Sequence, residues 1–290
     1  MPINQLTAEG FGMLSGVASA SFTGLLDEYP NAAAAYSVRR LSSTYEGALM
    51  EVRRTVSSVT VTADVAYDSN NELSLDSLIT ITSGSSSANN LGEFVGASGY
   101  SNPDSLVGGQ DAFVRTWYDQ SGNASNTIQT TSSYQPQIVN SGTYLGYLQT
   151  FRVFGNMVSS YSYTVSQEYS SFSVFENSGN CVIGGTNSGN SFYGVGQSGS
   201  ALSSLSGFIS PSYYRNGSVI GTTRNDVFVE STSFGQFSLL ITAGSSNQLA
   251  IGYTGAAYNN NRFKEFVLYP NQTVSRTGVE NNQMTYYGLS

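Results

Sequence analysis

The chain has 290 residues, 39% of them apolar, which admits one large β domain with a short appendage. Charged residues make up only 10%, and the balance is acidic, −8, with Lys264 the lone lysine among eleven basic residues, so no cationic surface is offered to a nucleic-acid backbone. The absence of histidine removes Ser-His-Asp triads, Cys-His dyads and His-ligated zinc, and the lone Cys181 removes an internal disulfide, leaving carboxylate chemistry or oxygen-ligated cations.

Residues 1–30 are Gly- and Ser-rich with scattered Phe11, Met13, Leu14, Phe22, Leu25 and Leu26, a patch too short to fold alone and expected to be an arm. The opening MPINQLTAEGFGMLSGVASASF has neither a basic n-region nor a long apolar run, so no secretory signal and no membrane insertion are expected. PNAAAAYSVRRL, entered through Pro30 and rich in alanine, predicts a short helix over 31–42. In VTVTADVAY the period changes to two, with Val59, Val61, Ala63, Val65 and Tyr67 alternating against Thr60, Thr62, Asp64 and Ala66, the mark of a half-buried strand. DSNNEL (68–73) reads as a turn and SGSSSANN (83–90) as a loop. Further strands are expected at 113–119, 169–177, 191–196, 237–244 and 264–270, and Asn216-Gly217 between apolar runs predicts a hairpin within 212–221. A Thr277/Glu280 capping box and Gly288 bracket a closing helix over 278–287. Many short strands and few helices give an all-β fold, a two-sheet antiparallel sandwich over 31–290 with a short C-terminal helix.

FVRTWYDQSGNASN (113–126) holds the only tryptophan. On a strand Trp117 and Tyr118 face opposite ways, so one is available to stack on a sugar while the other fills the core. Asp119, Gln120, Ser121 and Asn123 put four oxygen-bearing side chains into five residues, either part of a Ca²⁺ site or an Asx-type turn around Gly122. Trp117, Tyr118, Asp119 and Asn123 are therefore the candidate ligand-binding residues; no catalytic residue is assigned and Ca²⁺ is the one cofactor left open. Glycoside hydrolysis needs two carboxylates about 5 to 9.5 Å apart, and Glu168, Glu176, Asp226, Glu230 and Glu265 are available, though sequence gives no separation. Arg39, Arg40, Arg53 and Arg54 either meet a sulfated or carboxylated glycan or pair with Glu46, Glu51 and Asp64.

AAAAYSVRRLSSTYEGALMEVRR (32–54) and FVRTWYDQSGNASNTIQTTSSYQPQIV (113–139) resemble the N-terminal half of the catalytic domain of fungal α-L-arabinofuranosidase B. They are also similar to concanavalin A-like (laminin G-like) proteins of phages and bacteria, whose final strand and closing helix FKEFVLYPNQTVSRTGVENNQMTYYG (263–288) resembles. The resemblance covers roughly half of the chain and implies a concanavalin A-like jelly-roll. The hydrolase family's Cys-Cys-Phe-Asp-Tyr-Gly-Asn-Ala-Glu stretch has no match; the nearest strand, FSVFENSGNC, carries Glu176 without the paired cysteines. What this implies is a virion structural protein (capsid decoration, fibre or tail-associated) that is not an enzyme. Such a protein is made in a host cytoplasm and exposed on the particle. Its arm would join other virion proteins and copies of itself in a homo-oligomer, and its loops would bind host-surface carbohydrate. A glycoside hydrolase of arabinofuranosidase type is the alternative.

Overall fold

The computed structural model describes residues 22–149, 157–176, 208–221, 233–244, 248–251 and 261–290. Residues 1–21 of the expected arm, Cys181, the expected strand at 191–196, Asp226 and Glu230 lie outside the described residues.

The strands are β1 (Ala34–Ser37), β2 (Met50–Val56), β3 (Val59–Val65), β4 (Ile79–Ser83), β5 (Ala112–Trp117), β6 (Thr127–Ile128), β7 (Gln137–Asn140), β8 (Thr143–Gln149), β9 (Met157–Ser162), β10 (Glu168–Glu176), β11 (Phe208–Arg215), β12 (Ser218–Ile220), β13 (Gly235–Ala243), β14 (Gln248–Ile251) and β15 (Arg262–Tyr269). Helices α1 (Leu25–Glu28), α2 (Leu91–Phe94) and α3 (Arg276–Tyr287) and a 3-10 turn at Ser132–Tyr134 are the other regular elements of the described residues. The chain is an all-β sandwich closed by one C-terminal helix. Its hydrogen-bonded ladder runs β12-β11-β13-β10-β15-β8-β7-β5-β2-β3-β4. At the β15–β8 step only two residue pairs are shared, Arg262 with Gln149 and Phe263 with Leu148, so the ladder turns a corner there. β1 takes the rest of that edge of β15.

Between the two leaves the alternating faces interlock. Val52, Ala63, Val65, Val114 and Trp117 from one leaf join Tyr36, Phe175, Leu239, Ile241, Phe263 and Phe266 from the other in a single buried cluster. The Tyr36 and Trp117 rings lie 5.8 Å apart, and Phe175 stands 4.5 Å from Phe237 and 5.8 Å from Phe263. On the outer side of the β1-β15-β10 leaf, Leu25, Leu26, Ala35, Leu41, Phe172, Val267, Tyr269 and Val279 form a second cluster beneath α1 and α3. Burying a Leu or Val side chain contributes about 1.5–3 kcal/mol, which is why residues 25–29 are held on the domain.

The strands expected around 59–67, 113–119, 169–177, 237–244 and 264–270 are present as β3, β5, β10, β13 and β15, and the Asn216-Gly217 hairpin joins β11 to β12 with both turn residues at positive φ. Two local readings are corrected. The alanine run is not a helix: Ala34–Ser37 pairs antiparallel with β15 and all four residues are buried, so an edge in need of a partner overrides alanine's helical preference. The closing helix begins two residues earlier than its expected box, capped by the Ser275 side chain on the Gly278 N–H, while Glu280 pairs with Arg276 one turn back. Gly288 stops it in the left-handed conformation, as expected.

Candidate functional site

Most of the WYDQSGN turn is used to hold the fold. Trp117 is fully buried and donates its indole N–H to the Ser37 carbonyl at 3.1 Å. The Asp119 carboxylate accepts from the backbone N–H groups of Ala35 (2.8 Å), Ser121 (2.9 Å) and Ser125 (2.9 Å) and from the Ser121 hydroxyl (2.8 Å). Gln120 accepts from the Leu41 N–H and donates to the Arg39 carbonyl. The Asn123 amide donates to the carbonyls of Ala32 (2.9 Å) and Ala33 (3.3 Å). The turn thus staples β1 and its flanks to the end of β5. As a set of ligand-binding residues this is corrected: Trp117 presents no face to solvent, and Asp119 and the Asn123 amide are committed to the backbone. Nor does the turn suit Ca²⁺, because four converging donors occupy the carboxylate, and no group of three or more His, Cys, Asp or Glu side chains is close enough to hold a metal among the described residues.

Tyr118 is the exception. It points to the opposite face, where its hydroxyl donates to Asp64 at 2.6 Å. Asp64 on β3 lies directly across the ladder from Glu51 on β2, so two carboxylates share one face. Like charges placed opposite each other destabilise a sheet unless neighbours compensate. Here two bulges supply the compensation. Between β2 and β5 the register shifts after Glu51, so that Arg115 and Thr116 both reach it. The Arg115 guanidinium meets the two Glu51 oxygens at 3.1 and 2.9 Å, and the Thr116 hydroxyl donates at 3.1 Å. Between β3 and β4 a second shift brings the Thr82 hydroxyl to Glu51 at 2.9 Å, backed by Thr62. Bulges commonly re-aim side chains in this way.

The two acids therefore differ in setting. Glu51 is buried and faces a cation and two hydroxyls. Asp64 is half-buried; burial pushes its carboxyl above the usual range, the charge of Glu51 adds to this, and the Tyr118 hydrogen bond opposes it. Burial, and then the neighbouring Asp64, raises the Tyr118 phenol. Farther along the same face, past Arg115, lies an open groove of about 630 Å³ lined by Arg53, Asp111, Phe113, Tyr134, Gln135 and Gln137 among others.

The other carboxylates proposed from sequence sit elsewhere. Glu265 is fully buried beneath α3, where Arg39 grips both oxygens and Ser37, Gln283 and Tyr287 donate to it. Glu176 ends β10 in a two-oxygen contact with Arg262 at 3.0 Å, and Glu168 is exposed. The expected arginine pairings are corrected as well: Arg39 pairs with Glu265, Arg54 with Asp104, and Arg115 takes Glu51. Glu51 and Asp64 were not singled out as a pair because sequence does not give the register that opposes them; their places in adjacent alternating strands were the available signal.

The architecture is that of an all-β sandwich carrying an acid pair and a polar groove on one outer face. No protein-family profile matches the chain, and no curated protein does. Among solved structures it is similar to a GH54 α-L-arabinofuranosidase soaked with a cyclic sulfate inhibitor and to a mutant of such an enzyme soaked with 4-nitrophenyl α-L-arabinofuranoside, each at 13% identity and a TM-score of 0.49. It is also similar to an arabinofuranosidase complexed with arabinofuranosyl-α-1,2-xylobiose, at 14% identity and 0.46. Each likeness covers 90% of this chain and 64% of the other. The expectation that the chain is not an enzyme is corrected on this finding, since the solved structures it resembles are glycoside hydrolases. Likeness at this level assigns neither substrate nor catalytic residues to this chain.

Proposed function

We propose that the chain is a carbohydrate-active sandwich of arabinofuranosidase type, acting on a furanoside at the face that bears Glu51 and Asp64. The observation that carries this reading is the opposition of those two carboxylates across β2 and β3, one clamped by Arg115 and the other raised toward protonation. Directly opposed residues on neighbouring strands have Cβ atoms about 4.5–5.5 Å apart, so both carboxyls are on one face within reach of one glycosidic bond, as the acid pair of a retaining glycosidase must be. Two acids held in different environments divide the labour between them. Asp64, whose carboxyl burial pushes upward, gives a proton to the glycosidic oxygen as that bond breaks. Glu51, oriented by Arg115, forms the bond to the anomeric carbon. Water then displaces Glu51 while Asp64 recovers a proton from it. The furanoside substrate class follows the sequence resemblance of 32–54 and 113–139, the segments that supply Glu51, Arg115, Thr116 and Tyr118.

The test is release of arabinose from arabino-oligosaccharides by the full chain, with the anomer formed first read by NMR. Turnover with retained configuration is expected, and Glu51→Gln and Asp64→Asn should each lower the rate by about 100-fold or more. No release by the unsubstituted chain would refute the hydrolase reading. Release that survives both substitutions but is abolished by Glu176→Gln would move the chemistry to the end of β10.

A further inference from the structure

The groove on the same outer face contains a cation without a counter-charge. Arg53 lies on β2 across from Phe113, with its guanidinium 4.9 Å from that ring. It donates to the Gln135 side-chain oxygen (2.6 Å), the Thr55 hydroxyl (2.8 Å) and the Ser132 carbonyl (3.2 Å), all neutral acceptors. Arg39, Arg54, Arg115, Arg262 and Arg276 each have a carboxylate within ion-pair distance; Arg53 has none among the described residues. Partial burial without compensation lowers its proton affinity. A guanidinium has five N–H donors, so the three contacts leave two free for a ligand. Asp111, the one carboxylate lining the groove, accepts from the Ser141 N–H at 2.8 Å. At about 630 Å³ the groove has the size of a small-ligand site, with Phe113 and Tyr134 as apolar wall and Gln137 and Asn140 as amide lining.

We propose that this groove is a subsite for a carboxylate-bearing sugar, a uronate, whose carboxylate takes the free donors of Arg53. Arginine's planar fork matches a carboxylate better than it matches a neutral hydroxyl. The proposal rests on the reading of the chain as carbohydrate-active but not on Glu51 and Asp64 as its catalysts, and its test reads binding rather than turnover. Titration calorimetry of the full chain with trigalacturonate and with its fully methyl-esterified form compares the same skeleton with and without charge. The acid form is expected to bind at least about tenfold more tightly, and Arg53→Gln to abolish that preference. Arg53→Lys, which keeps the charge without the fork, should restore part of it. Equal binding of the two forms, absence of binding by the acid form, or a preference unchanged in folded Arg53→Gln would each overturn the proposal. Loss of turnover in Glu51→Gln with uronate binding intact would leave it standing, and so would a chain that binds uronate without hydrolysing any furanoside.

Discussion

Replacing Asp119 by alanine should destabilise the protein more than any other change in the WYDQSGN turn. The carboxylate is almost fully buried and satisfies three backbone N–H groups, two of which, on Ala35 and Ser125, lie in the interior. Removing it leaves those two donors without a partner, at about 1–3 kcal/mol each. The expected loss is thus about 2–6 kcal/mol, a large part of the roughly 5–15 kcal/mol that separates a folded domain from its unfolded chain. Asp119→Asn keeps one acceptor oxygen and should lose less. Equilibrium unfolding in urea, followed by the fluorescence of the single tryptophan, measures both. A midpoint for Asp119→Ala corresponding to less than about 1 kcal/mol of loss, with an unchanged slope, would refute the claim that this carboxylate staples β1 to β5.

Trp117 should emit at short wavelength in the folded protein and shift to the red on unfolding, and Trp117→Phe should cost about 2–4 kcal/mol because the Ser37 carbonyl loses its donor and the core loses volume. Emission already red in native buffer would contradict its burial. Glu265→Gln should cost about 3–5 kcal/mol by leaving the Arg39 charge buried without its partner, measured by the same urea titration. Arg39, followed by hydrogen bonds from Ser37 and Gln283, outweighs burial and holds the Glu265 carboxyl below the ordinary value of 4.5. The folded state therefore favours the ionised form, so this stability is present above pH 4.5 and is lost as pH falls through the lowered value. In Glu265→Gln that limb of the stability profile should flatten. Asp64 has the opposite sign, since its raised affinity for a proton means that ionisation works against folding as pH rises through its folded value. Asp64→Asn should consequently leave the urea midpoint unchanged or higher while glycoside release falls by about 100-fold or more; a lower midpoint would show that the carboxylate is needed for the fold.

Alternation and turn chemistry were enough to place β3, β5, β10, β13, β15 and the Asn216-Gly217 hairpin, because each is specified by residues within a few positions of one another. β1 was not legible for the converse reason. Nothing within PNAAAAYSVRRL indicates a strand; the partner that makes it one lies on β15. The same limit governs the charges. Arg39 and Glu265 are 226 residues apart in sequence, and of the nearer acids that looked like partners for the arginines Glu51 is taken by Arg115 and Asp64 by Tyr118. The candidate site was partly legible. Tyr118 was picked out by its place on the strand, whereas Glu51 and Asp64 became a pair only through the β2–β3 register, and the bulges that bring Arg115 and Thr82 to Glu51 leave no local trace.

Because β1 completes its pairing on β15, the order of synthesis constrains the order of folding. Ser37 leaves the ribosome 228 residues before Glu265, the carboxylate that its hydroxyl contacts. At translation rates of about 5–20 residues per second that interval is on the order of 10 to 50 s. Throughout it the edge of β1 and the apolar underside of Leu25 and Leu26 await their cover, so a chaperone that shields residues 25–37 would protect the chain during its most aggregation-prone period.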